Sequence, residues 1–284
     1  MNPAGTAVRA GIRKGGIEFR QSLSSVQDLW NYFFWPVVIL IVMYFLRGVD
    51  VPGTDFSLSA MTIPSVIGMQ VAFIGLTSLA AVLLIEREDG TLLRAKAVPN
   101  GMLGYLVGKV VTFSAMSLIA VLIFLVPGAF LFDGLRLAEP GAWLTLAWVL
   151  ALGLLATMPI GAVVGSLFSS PGSLGIVFVL LMGLVATSGI FYPITAFPVW
   201  LQWIAQVFPV YWLGLGMRSA LLPDSLAAVE IGESWRHLET VGVLGIWAIA
   251  GFLLAPIVLR RMARRESGAS MAERRERAMS RAGW

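Results

Sequence analysis

The residues able to do covalent or acid–base chemistry are few, and what is missing narrows the function. The chain has 284 residues, one histidine and no cysteine. Disulfides, thiol catalysis and cysteine-ligated metals are therefore excluded. His237 stands in a polar outer stretch, where solvation or capping outweighs metal binding, so no metal site is assigned. No Asp, Glu or His lies in the middle of a long apolar run. Proton- or sodium-coupled carriage needs such intramembrane groups, and membrane proteases and metal-dependent transferases need clusters of them. No catalytic residue is assigned either. Gly108-Lys109 is the only Gly-Lys pair. A phosphate loop requires G-x-x-x-x-G-K-[ST], with glycines for backbone approach and the lysine on the phosphates. Leu103 and Val110 occupy the positions of its first glycine and its hydroxyl. The chain is expected not to be an enzyme, to bind no cofactor directly, and to take any transport energy from another chain.

Two sets of residues keep chemical character. The first is Glu86 to Pro99, EREDGTLLRAKAVP. Gly90 permits a sharp turn, Thr91 can N-cap a short basic helix over 92–98, and Pro99 ends it. Asn100 can cap the helix that follows. The plain alternative is an ordinary charged loop. The second set is Met69, Gln70, Phe73, Thr77 and Ser78 in one apolar run, with Phe178, Met182, Thr187 and Ser188 in another. Adaptable Met and aromatic surface with few polar groups suits promiscuous apolar binding. Small and polar residues equally serve helix packing in lipid. The Gln70 amide, near the middle of its run, should face protein or a wet cavity, since lipid would leave it unsolvated.

Six apolar runs must position these residues: 29–46, 62–85, 104–131, 142–168, 172–192 and 240–259. A bilayer core ~30 Å thick needs ~20 apolar residues per helical span. The runs are too long and too continuously apolar for barrel strands. Hydrophobic residues make up 58% of the chain and charged residues 13%, against ~25% charged in soluble domains. The predicted fold is an all-helical integral membrane bundle in one transmembrane domain. With both termini cytoplasmic, the inner segments hold 16 of the 20 basic residues and 8 of the 16 acidic ones. The inside is then net positive and the outside net negative, which selects this orientation. The Arg-rich tail 262–284 suits anionic lipid headgroups, and no nucleic-acid partner is expected.

Residues 5–28 read as an amphipathic helix in the inner interface. Val8, Ile12, Phe19, Leu23 and Val26 form its stripe, with Arg9, Arg13 and Arg20 off it, and Gly15-Gly16 weakens its middle. A frayed basic leader is the alternative, and a cleaved signal peptide is not expected. In the outer segment 193–239, Pro193, Pro198 and Pro209 cut residues 193–222 into pieces too short to span. A re-entrant helical hairpin is expected there. Trp200, Trp203, Tyr211 and Trp212 should sit at the headgroup interface.

The inner stretch resembles that of ABC type-2 exporter permeases. The likeness falls on Glu86, Gly90, Thr91, Leu92, Pro99, Gly108 and Lys109. A second match, Ser188 to Pro193, Phe197-Pro198, Trp200-Leu201, Pro209 to Trp212 and Arg218, is similar to that family's segment after its fifth span. Among the subfamilies the chain looks most like the daunorubicin-resistance drug-efflux type. The resemblance implies the membrane half of an ATP-driven exporter in a bacterial plasma membrane. It implies two separately encoded ATPase subunits, which bring ATP and Mg, and a second permease copy, identical or not. It places coupling to the ATPase at Glu86, Gly90, Thr91, Leu92, Arg94 and Pro99. It lines the path with the second and fifth spans, here Met69, Gln70, Phe73, Thr77, Phe178 and Met182. The cargo would be apolar or amphipathic, drug-like or lipid-linked. A non-transporting membrane subunit and a lipid-acting membrane enzyme are the competing readings.

Overall fold

The computed structural model describes residues 3–49, 57–88, 90–132, 134–168 and 174–265. Residues 50–56 of the loop 47–61, the turn 168–173 past Phe168, and the tail past Arg265 lie outside the described residues. Among the described residues the regular elements are helices, and there is no strand. They are α1 (Pro3–Ser24), α2 (Val26–Phe45), α3 (Leu58–Phe73), α4 (Leu79–Glu88), α5 (Thr91–Lys96), α6 (Gly101–Leu131), α7 (Pro140–Leu167), α8 (Leu174–Thr187), α9 (Val199–Val207), α10 (Pro209–Leu221) and α11 (His237–Arg265). A π-helical segment, Ile74–Ser78, joins α3 to α4 without a break.

Four stretches are long and apolar enough to cross a bilayer: Leu58–Glu86, Gly101–Leu131, Pro140–Leu167 and His237–Leu259. They cover the expected runs 62–85, 104–131, 142–168 and 240–259. The other two runs form shorter apolar helices, Tyr32–Phe45 and Gly175–Thr187. The second is cut short where Ser188 turns into Gly189, whose φ of +71° no helix tolerates. At 1.5 Å per residue the 14 residues of α8 rise ~21 Å, less than the ~30 Å hydrocarbon core.

The core gathers around α7 and α10. Helix α11 packs along α7, α10 wedges between α3 and α7, and α1 lies along the first half of α6. Lipid-type packing explains the α7 seam. Gly153, Thr157, Gly161 and Gly165 recur every four residues, so one face lets a neighbour's backbone come close. A Cβ on Gly165 would stand 2.7 Å from the Ala80 Cα of α4. Proline sits inside α2, α3, α6, α7 and α11. Membrane helices accept this because their neighbours satisfy the freed carbonyls.

Helix α1 is continuous through Gly15-Gly16, and the glycine is not a weak point. Gly11 and Gly15 are its buried residues. A Cβ on Gly15 would lie 2.5 Å from the Gly108 carbonyl and 2.8 Å from Val111 Cβ. Two glycines one turn apart on α1 therefore meet Gly104 and Gly108 on α6, backbone to backbone. The expected apolar stripe is divided, with Phe19 and Leu23 half-buried but Ile12 and Val26 exposed.

Prolines set the outer segment as expected: Pro198 precedes α9 and Pro209 opens α10. The two helices meet at Phe208 with no loop between them. Their surroundings differ. Helix α9 exposes Val199, Trp200, Trp203, Ile204 and Val207, whereas every residue of α10 is buried. Trp200 and Trp203 thus face outward, but Tyr211 at 0% and Trp212 at 2% exposure are core residues. Their placement at a headgroup interface is corrected. An aromatic with one polar atom fits either setting, and α10's packing against α3 and α7 decides it.

Candidate functional site

Glu86 lies in the last turn of the long α3–α4 helix, which ends at Glu88, and Gly90 follows with φ +79°. That conformation suits glycine, because a Cβ there meets the following carbonyl. Helix α5 then spans Thr91–Lys96, shorter than the 92–98 expected. Thr91 is its first residue and not its N-cap. The Arg94 amide closes the first turn on the Gly90 carbonyl at 3.1 Å, and the Arg94 guanidinium donates to Thr91 Oγ1 at 3.0 Å. Leu92 is 2% exposed and anchors the elbow, while Arg94, Val98 and Pro99 are exposed. Helix α5 ends at Lys96, three residues before Pro99. Asn100 precedes α6 with φ 54° but makes no side-chain cap. Among the described side chains the elbow therefore exposes Arg94 and buries Leu92.

A lysine near a helix end ordinarily snorkels toward the headgroups, but Lys109 turns into the protein. Its side chain is 7% exposed, and its ammonium donates to Glu86 Oε1 at 2.6 Å and to Glu18 Oε2 at 2.9 Å. Lys14 reaches Glu18 Oε1 at 3.5 Å, and both lysines lie 5.5 Å from the Tyr105 ring centroid. Thr112 Oγ1 donates to the Gly15 carbonyl at 3.2 Å. Charges alternate along Lys14, Glu18, Lys109 and Glu86, so the group is neutral as a whole. Each end belongs to a different element: α1, α6 and the close of α4. Removing Lys109, the buried member, would leave two partly hydrated carboxylates without it, at a cost of about 2–4 kcal/mol. Glu18 was not singled out from the sequence. Its one signal was the four-residue spacing from Lys14, which is common on any helix surface.

The expected path residues fall on two surfaces that touch at one point. Phe73 and Phe178 meet edge-to-face with centroids 5.8 Å apart. Met69 is 6% exposed and belongs to the core, Gln70 and Phe73 are half-buried, and Phe178 and Met182 are 51% and 38% exposed. Gln70 makes no side-chain hydrogen bond among the described residues. Thr77 Oγ1 donates back to the Phe73 carbonyl at 2.7 Å, inside the π segment. Wide turns of this kind recur at functional sites. Helix α8 touches mainly α9, α10 and the π segment, and it leaves Ile176, Phe178, Val179, Leu180 and Met182 in the open.

Beside Ser65 of α3 and Gly189 past α8 lies a buried ion pair, in the segment 193–239 whose charges the sequence reading counted as external. Arg218 of α10 is 0% exposed and Glu230 is 3% exposed. Arg218 Nε donates to Glu230 Oε1 at 2.7 Å. Among the described residues no group of His, Asp and Glu could hold a metal ion.

Comparison with known families fits this arrangement. Residues 18–222 match the family described as ABC-2 type transporter, well over half of the 284 residues. The chain belongs to the ABC-2 type transporter family. The match begins at Glu18 and ends just after α10, so it takes in the elbow, the Glu18, Lys109 and Glu86 members of the charge group and both candidate path helices. No curated protein matched the chain. As an ABC-2 transporter membrane domain with helices able to cross a bilayer, the chain is a multi-pass membrane permease component. It works with an ATPase partner.

Proposed function

We propose that this ABC-2 chain is one membrane-spanning half of an ATP-driven exporter that moves an apolar or amphipathic solute outward. It has six spans, with α2 and α8 completing the set, and lies in a bacterial plasma membrane with both termini cytoplasmic. Two ATPase subunits supply ATP and Mg, and a second permease copy completes the path. The drug-efflux type resembling the daunorubicin-resistance permeases is the closest description. The chain itself catalyses nothing and binds no cofactor.

One observation carries this reading. Phe73 and Phe178 touch at the edge of an apolar face on α8 that is exposed among the described residues. A second copy placed against that face would enclose Gln70, Phe73, Phe178 and Met182 between two halves. Such walls recognise shape and apolar area and offer one amide per half for a polar group. On the inner side, Glu86 joins the path helix to Lys109 and so to α1. A push on the elbow reaches the α3–α4 helix through Gly90 and Glu86. It reaches α1 and α6 through Lys109.

The test is reconstitution in nanodiscs with its ATPase partner. Hydrolysis stimulated by amphipathic drugs, and disulfide crosslinks between copies at Gln70→Cys or Met182→Cys, are expected. An ATPase that never co-purifies, or whose hydrolysis ignores every amphipathic compound offered, would overturn the proposal.

A further inference from the structure

Arg218 heads the fully buried side chains of the described residues by volume, and its partners come from three separate places. Nε donates to Glu230 Oε1 at 2.7 Å, in the segment between α10 and α11. Nη1 donates to Ser65 Oγ on α3 at 2.8 Å and to the Gly189 carbonyl, just past α8, at 3.3 Å. Gly214, one turn before Arg218 on α10, makes room: a Cβ there would stand 3.3 Å from Nη1. One guanidinium thus ties the outer half of the α3–α4 helix, the end of α8 and the outer segment together. A buried ion pair is a weak source of stability, since desolvation offsets much of its attraction. This pair is also incomplete. Arg218 Nη2 and Glu230 Oε2 are both buried with no hydrogen-bond partner, although a two-point grip between them would be the stronger contact.

We infer that Arg218 is a latch that holds the outer ends of the α3–α4 helix and α8 together and so closes the path to the outside. The inference rests on the proposed function, in which these two helices of each half line the path between the halves. Opening requires Ser65 and Gly189 to part. The guanidinium then gives up Nη1 and turns its spare Nη2 onto the spare oxygen of Glu230. Each state satisfies the arginine in its own way, so Glu230 keeps the charge paired throughout. Ser65 and Gly189 are the contacts made only when the path is shut.

The chain has no cysteine, so single reporters are clean. Gln70→Cys lies five residues inward of Ser65 on the same helix. It is treated from outside with a membrane-impermeant maleimide in the permease–ATPase complex, without ATP. Ser117→Cys, fully buried on α6 and clear of Arg218, is the control. Labelling of the Gln70 reporter should be slow in the parent and at least tenfold faster with Ser65→Ala, which loses a contact made only when the path is shut. It should not be faster with Glu230→Gln, which weakens a pairing kept in both states; the control should stay unlabelled throughout. If Glu230→Gln fails to assemble, Ser65→Ala decides alone. A Ser65→Ala rate equal to the parent's overturns the latch. So does equal acceleration of the control, which makes the pair a prop for the whole fold. Copies that crosslink at Gln70 while labelling stays unchanged fail only the latch. Copies that never crosslink there fail the path itself.

Discussion

Lys109→Met removes the centre of the inner charge group and should detach α1 from α6. The ammonium holds Glu86 at 2.6 Å and Glu18 at 2.9 Å from a side chain only 7% exposed. Breaking a fully buried pair costs about 3–5 kcal/mol. The carboxylates here are 15% and 22% exposed, and Lys14 still faces Glu18. Partial hydration brings the expected loss to about 2–4 kcal/mol. Much of it should appear as opening of α1, because Glu18 leaves with that helix. Val111 supplies the reporter, since it lies beneath Gly15 and α1 covers it. If labelling follows the open fraction, 2–4 kcal/mol speeds modification of Val111→Cys by about 30- to 700-fold. Lys109→Arg, which keeps the charge, should stay near the parent rate. Adding Glu18→Gln and Glu86→Gln to Lys109→Met should restore most of the protection. A rate for Lys109→Met within threefold of the parent would show that glycine packing alone holds α1, and the charge argument would fall.

Three further outcomes are expected. A cysteine at exposed Glu233 should label from outside and one at exposed Ala97 from inside, and the reverse pattern would invert the topology. Gly90→Val, forced into φ +79°, should leave the chain inserted but lower drug-stimulated ATP hydrolysis at least fivefold, whereas Gly90→Asn should retain more of it. In the outer loop, the Arg136 side chain donates to Glu139 at 2.9 Å, and that hydrogen bond holds the carboxyl below its ordinary 4.5. Because the folded midpoint is lowered, the stabilisation from this pair is present above the ordinary value and fades as pH falls through the lowered one. Carbon-13 titration of Glu139 should show that depressed midpoint, and Arg136→Gln should return it toward 4.5.

Length and hydropathy made the helical membrane class readable, because lipid allows little else to a chain with such runs. The prolines at 193, 198 and 209 likewise announced short pieces after α8, since proline acts on its own neighbours. The Gly90 turn and the elbow were legible for the same local reason. What the sequence hid was long-range. Nothing near Arg218 in the chain says that Ser65 will stand 2.8 Å away, 153 residues earlier. Counting Arg218 and Glu230 as outer charges suited the topology argument and missed that both are enclosed. Lys109 misled in a similar way, because snorkelling is the default for a lysine at a helix end. Two carboxylates from other elements drew it inward. Gly15 looked like a flaw in an isolated helix, and only the facing Gly108 turns it into a contact.

The π segment Ile74–Ser78 has a bearing on how the chain tolerates length changes. A wide turn holds one residue more than an α-helix needs for the same rise, so everything after it is turned by about 100° from the plain helical wheel. Outer residues such as Gln70 and inner ones such as Glu86 therefore do not keep the phase that their numbering implies. The surplus residue is what aims Glu86 at Lys109. Deleting one residue between 74 and 78 would leave a smooth, equally apolar helix that still inserts. Its outer half would stay seated against α10, and its inner carboxylate would point a quarter-turn away from its lysine. Insertions and deletions in this helix are thus rotations, and a chain shortened by a single residue would be mis-timed before it was unstable.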